Sequence, residues 1–213
     1  MPFSNLTRWG ALAGGVGAIV AGVAYVTMLI EPLLWAAGGL SDGAVFYPEQ
    51  RVIVAQLGSL IGISGLYALH RERYSPLATA AYLVASFGTA LILVSAAAWW
   101  LLGGLYVGPG VLYLVGIGAL TATVGLVLVG GVTVEIQVLP RWVGMVMIVG
   151  ISAGLMLFLV SSTVMLRLNL AGGYELLLSL ASWLILLGIM WVLVGYALLR
   201  VGARHPQQPM RVR

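Results

Sequence analysis

Twenty-six consecutive residues without a charged side chain occupy positions 77–102 and read LATAAYLVASFGTALILVSAAAWWLL. A helix rises about 1.5 Å per residue, so about 20 apolar residues cross a hydrocarbon layer roughly 30 Å thick. Because lipid offers the backbone no hydrogen-bond partner, a stretch of this length is expected to be helical. A strand of a membrane barrel would alternate apolar and polar side chains, and this stretch does not.

Five more uncharged runs of at least 18 residues accompany the first. The six predicted spans are 9–30, 52–69, 77–102, 111–134, 142–166 and 176–199. The chain has 213 residues, of which 62% are hydrophobic and only 8% charged, whereas a soluble domain carries about 25% charged residues. We therefore predict an all-α, polytopic integral membrane protein that forms a single six-helix transmembrane bundle.

The arginines orient this bundle. All ten basic residues are arginine. Eight of them fall on one side of the predicted membrane: Arg8, Arg71, Arg73, Arg141, Arg200, Arg204, Arg211 and Arg213. Only Arg51 and Arg167 fall on the other side. Positive residues near spans stay in the cytoplasm. We therefore expect both termini, including the tail 200–213, to be cytoplasmic, and the protein to lie in the cytoplasmic membrane of a bacterial type of cell.

Composition excludes several kinds of chemistry. The chain has no cysteine, so disulfides, thiol catalysis and cysteine-ligated metals are not expected. The net charge of +4 arises mainly from the arginine-rich side, which suits anionic lipid headgroups and is no sign of nucleic-acid binding. Because no cluster of acidic or histidine side chains falls inside a span, we predict no catalytic residue, no metal and no cofactor.

The second span carries the only polar stripe that we single out inside the membrane. At 100° per residue, Gln56, Ser59, Tyr67 and His70 fall within about 60° of one another. Three glycines lie on the opposite face: Gly58, Gly62 and Gly65. The stripe either forms hydrogen bonds between helices, worth about 0.6 kcal/mol each, or lines a cavity or pathway. Protein contacts on both faces would place this helix centrally.

Charged residues near the predicted outer surface give two further sets of candidates. The mouth of a pathway would lie near Glu31, Asp42, Glu49 and Arg51. Contacts to lipid headgroups would involve Arg167 and Glu175.

Small residues recur every four positions in the first span: Gly10, Gly14, Ala18 and Gly22. Such spacing lets helices pack closely, either within the chain or against a partner or a second copy. Pro32 is expected to end or kink this helix. The triplet Gly-Ile-Ser recurs at 62–64 and 150–152, which is consistent with two inverted three-helix halves.

Three functions fit these observations. The first is a structural or accessory membrane protein, such as a subunit of a complex, with lipids and a membrane-protein partner around it. The second is a transporter or channel for a small solute. The third is a lipid-binding protein or membrane enzyme, which ranks lowest because no catalytic constellation is visible.

Overall fold

A computed structural model describes residues 5–36, 48–71, 76–102, 110–168 and 174–203. They form six long helices: α1 (Asn5–Ala36), α2 (Pro48–His70), α3 (Pro76–Leu102), α4 (Gly110–Ile136), α5 (Arg141–Leu168) and α6 (Tyr174–Ala203). All six are long and apolar enough to cross a membrane, and no strand occurs in the described ranges. The predicted all-α bundle of six membrane-spanning helices is confirmed.

Two helices begin at a proline, and a third proline lies inside α1. Pro48 and Pro76 are the first residues of α2 and α3, where a missing backbone N–H costs little. Pro32 lies inside α1, so of the two expectations for Pro32 the helix end is wrong and the kink stays a prediction. Prolines are tolerated in membrane helices because neighbouring groups can bond the backbone. The carbonyl that Pro32 leaves without its helical donor is that of Met28, and the adjacent carbonyl of Thr27 accepts from Arg51 Nη1 at 3.0 Å.

The helices form a closed ring in chain order. Each packs against its neighbours in sequence, α1 packs against α6, and α2 also touches α6. Arg8 at the start of α1 donates from Nε to the carbonyl of Gly202, near the end of α6, at 3.2 Å. We call this end of the bundle the Arg8 end and the opposite end, where α2 begins, the Arg51 end. That the Arg8 end faces the cytoplasm remains a prediction.

Glycines set the closest helix contacts. On α1 and α2, a Cβ added at Gly14 would lie 2.5 Å from Gly65 Cα. On α1 and α6, a Cβ at Gly22 would lie 2.5 Å from the Gly188 carbonyl oxygen. On α3 and α4, Gly88 packs in the same way against the backbone of Ala122. The small residues of α1 therefore allow close contact with two other helices of the same chain, α2 and α6.

Large apolar side chains fill the interior of the ring. Trp191 of α6 is fully buried, and its ring lies beside Gly62 of α2. From α5, Met147 and Ile151 point into the same core, and Leu139 enters it from the turn between α4 and α5. The core therefore links helices on opposite sides of the ring.

Candidate functional site

The polar stripe of α2 separates into two buried groups in the structure. Near the Arg51 end, Gln56 Nε2 donates to the hydroxyl of Tyr25 at 2.9 Å. The same hydroxyl lies 3.5 Å from Ser59 Oγ. All three side chains are buried between α1 and α2. This group, the Tyr25 triad, joins two helices by polar contacts in an otherwise apolar interface.

His70 belongs to the second group, at the Arg8 end. It is the last residue of α2 and is fully buried. Its Nδ1 lies 2.6 Å from the hydroxyl of Tyr82 on α3. Fourteen residues separate His70 from Gln56, which is about 21 Å along a helix. The two buried groups therefore do not form one site.

Tyr67 differs from the other three stripe residues because 40% of its surface is exposed. Its ring meets the Tyr82 ring edge-on, with centroids 5.6 Å apart. Tyr67 thus lies at the outer margin of the α2–α3 contact. The buried side of α2 instead includes Ala55 and Leu66, which lie between the stripe and the glycine face, and Gly62 at the edge of that face.

Buried hydroxyl groups on other helices bond to their own backbones. Four of them donate to the carbonyl four residues earlier at 2.7–2.8 Å: Thr89, Ser95, Thr123 and Thr133. This is the local bond that serine and threonine commonly form in helices. The hydrogen-bond donor of each hydroxyl is therefore paired with a carbonyl of its own helix, and no ligand is needed to explain these residues.

The candidates at the Arg51 end are described only in part. Arg51 is half-buried and bonds α1 through Thr27, so it connects α2 to α1. Asp42 lies outside the described residues. Four other candidates lie in helices, but the structure does not describe their side chains: Glu31, Glu49, Arg167 and Glu175. Within the described ranges, no group of three metal-ligating side chains comes together.

Sequence reasoning missed Tyr25 and Tyr82, the partners of the two buried groups. Neither could be paired with α2 before the relative heights of the helices were known. A second missed feature was readable in the sequence. Gly188, Gly195 and Gly202 recur every seven residues on α6, and all three contact α1. A repeat of seven keeps residues on one face of a packed helix.

The packing of α4 against α5 changes along their length. Near the Arg8 end, a Cβ at Gly130 would lie 3.0 Å from the Gly144 carbonyl oxygen. Gly116 lies fourteen residues earlier, on nearly the same side of α4. A Cβ there would meet nothing within 4 Å. The two helices therefore diverge toward the Arg51 end.

The facing part of α5 is exposed over a little less than half of its circumference. Four of its residues are 50–63% exposed and span about 160° at 100° per residue: Met156, Leu157, Leu159 and Val160. Phe158, between them, packs against Trp183 of α6 with ring centroids 6.0 Å apart. We call the space bordered by Gly116 and these four residues the α4–α5 gap.

Two features characterise the described part of this bundle. Its buried polar side chains form hydrogen bonds within the protein, and the segments of α4 and α5 near the Arg51 end diverge and are exposed. The Tyr25 triad and the His70–Tyr82 pair hold neighbouring helices together. The α4–α5 gap offers apolar surface and an exposed stretch of backbone at Gly116. A search of protein families, curated proteins and solved structures finds no match to this chain.

Proposed function

We propose that this protein is a non-catalytic accessory subunit of a membrane complex. In this proposal the α4–α5 gap receives a transmembrane segment of the partner protein. The observation that carries the proposal is the exposure of one side of α5 between Met156 and Val160, beside the point where α4 diverges from it. Helices in lipid associate through close packing, and the exposed side of this segment makes little of it within the chain.

The glycine at the gap supports a helical partner. Elsewhere in this bundle, glycines such as Gly14 and Gly88 lie where two helix backbones touch. Gly116, like Gly131 on the same helix, has no atom of another helix within 4 Å of its Cβ position, and Gly116 in addition faces the exposed segment of α5. Small residues are enriched where membrane helices meet because they let backbones approach. An incoming helix would find such a surface at Gly116.

The polar groups give less support to transport. A pathway beside Gln56 would need polar atoms that face a hydrated space. Instead the Gln56 amide donates to Tyr25, and Ser59 lies next to the same hydroxyl. Hydrogen bonds of this kind stabilise membrane bundles by about 0.6 kcal/mol on average. Helix association explains the Tyr25 triad without a solute.

Site-directed photocrosslinking in native membranes tests the accessory role. A photoreactive residue replaces Gly116 or Met156 in the gap, and Leu83 of α3, which is 66% exposed, serves as the control position. We expect the gap positions to form an adduct with one identified membrane protein and Leu83 to label lipid. The same protein should copurify with the unmodified chain.

A second test of the proposed partner contact fills the α4–α5 gap with a larger side chain. Gly116→Ile places a branched side chain where the partner would pack, and Ala80→Ile makes a similar change at an exposed position on α3. Gly116→Ile should reduce copurification several-fold while Ala80→Ile leaves it unchanged. Lipid adducts alone at all three positions, or adducts only between two copies of the chain, would overturn the proposal.

A further inference from the structure

The contact between α1 and α6 ends in a charged residue at the Arg8 end. The side of α1 that faces α6 carries Leu12, Gly15, Ile19 and Gly22, which contact α6 in steps of three or four residues. Arg8 continues this series by one more step toward the end of the bundle. Its side chain is half-buried, and its Nε donates to the Gly202 carbonyl at 3.2 Å.

This hydrogen bond has a local purpose. Gly202 is the second-last residue of α6, and the last four carbonyls of a helix have no intrahelical donor. Arg8 therefore caps α6. A guanidinium has five N–H donors, and in the described part of the chain Gly202 is the only hydrogen-bond partner of Arg8. The bond fixes the guanidinium, and no described residue accepts from its two Nη groups.

Other groups around this position favour an anion. Arg200 is exposed in the last turn of α6, on the same outer side of the helix as Tyr196 one turn earlier, whereas Gly202 faces α1. Arg8 lies in the first turn of α1, and the positive end of the α1 dipole is opposed by the negative end of α6 beside it, so the arginine side chains carry the positive charge at this position. The acidic side chain described at this end, Glu135, lies on α4, which packs mainly between α3 and α5. No acidic side chain among the described residues therefore lies on α1 or α6 beside this positive charge.

Two exposed aromatic residues flank the same position. Trp9 follows Arg8 and is 70% exposed. Tyr196 lies one turn before Arg200 on α6 and is 54% exposed. Tryptophan and tyrosine favour the headgroup level of a bilayer. Beyond Tyr196, toward the middle of the bundle, the exposed side of α6 is apolar and includes Ile189, which is 48% exposed.

We propose that the α1–α6 contact at the Arg8 end binds one anionic phospholipid. Arg8 and Arg200 bind its phosphate, Trp9 and Tyr196 border the glycerol region, and an acyl chain follows the exposed side of α6. Charge complementarity and the change from cationic to aromatic to apolar surface along the bundle match the order of groups in such a lipid. The site is independent of the α4–α5 gap and of the accessory role.

Native mass spectrometry of the full chain tests this assignment. The detergent-solubilised protein is titrated with dioleoylphosphatidylglycerol and, separately, with dioleoylphosphatidylcholine. The variants are Arg8→Gln and Arg200→Gln, and Arg71→Gln is the matched control because it removes one exposed charge at the same end, at the α2–α3 turn. One arginine at an anionic surface corresponds to about fivefold in affinity.

We expect Arg8→Gln and Arg200→Gln each to weaken phosphatidylglycerol binding about fivefold, and Arg71→Gln to change it less than twofold. Equal losses in all three variants would show a diffuse charge effect and overturn the site. Displacement of the lipid by an equal concentration of inorganic phosphate would overturn the lipid as its ligand. Because Arg8→Gln also removes a helix cap, thermal unfolding is recorded, and Arg200→Gln decides the result if the Arg8 variant does not fold.

Discussion

Replacing Gly14 by alanine tests whether backbone contact between α1 and α2 holds the bundle together. The added Cβ would lie 2.5 Å from Gly65 Cα and 3.1 Å from Gly65 N. Ordinary contact begins near 3.4 Å, so the first distance is short by 0.9 Å. Both obstructing atoms belong to the backbone and cannot rotate away. The two helices must therefore separate.

The magnitude follows from the range of packing forces. A gap of 0.5–1 Å removes about a quarter to a half of the dispersion energy of each affected atom pair. Overpacked substitutions cost about 1–3 kcal/mol in protein cores. Several other glycine contacts lie along the same interface, at Gly10, Gly17 and Gly58. We therefore expect Gly14→Ala to lower the free energy of unfolding by about 2–3 kcal/mol.

Gly131→Ala is the matched control. It makes the same chemical change inside a membrane helix, but its Cβ would meet nothing within 4 Å. Alanine is the better helix former, so this variant should unfold at the same free energy or a slightly higher one. The assay is denaturant unfolding in mixed micelles, followed by the fluorescence of the seven tryptophans. Equal stability of the two variants would refute the reasoning.

Two further predictions concern the α4–α5 turn and the orientation of the bundle. Gln137 has a φ of 56°, so Gln137→Gly should raise stability by about 1 kcal/mol by relieving left-handed strain. With its amide turned so that the oxygen faces Arg141, the Gln137 side chain accepts from Arg141 Nε at 3.1 Å, an exposed contact of small value. Gln137→Ala, which loses that contact and keeps the strain, should not be stabilised, and a gain equal to that of glycine in thermal unfolding would contradict the explanation. The natural chain has no cysteine, so Arg71→Cys and Leu102→Cys report topology with an impermeant maleimide. Intact cells should label only position 102, and the reverse pattern would show that the Arg8 end faces outward.

The spans were predictable because burial in lipid imposes a simple requirement on composition. An uncharged run such as 77–102 has no soluble alternative of comparable stability, and it coincides with α3 to within one residue. Helix ends were less predictable. Pro32 illustrates this, because a proline signal depends on whether neighbouring groups can bond the backbone around it. Arg51, from another helix, bonds the carbonyl of Thr27 in the turn before Pro32.

The polar groups were predictable by residue but not by arrangement. A helical wheel placed Tyr67 beside Gln56, yet Tyr67 is 40% exposed. The wheel gives directions within one helix and does not say where the neighbours lie. Because α2 packs against α1, α3 and α6, the most buried side of α2 is the one that carries Gly62 and Leu66. Pairing Gln56 with Tyr25 further required the relative height of α1 and α2, which the Gly14–Gly65 contact sets.

The closed ring has a consequence for how the chain can be connected. Its first and last helices are neighbours, joined by the Arg8–Gly202 hydrogen bond. A short linker between the start of α1 and the end of α6 would let the chain be opened at another connection instead. Opening it before α3 or α5 moves an even number of helices, so every helix keeps its direction across the membrane. The same ring would then be inserted into the bilayer in three different orders, with every helix contact preserved.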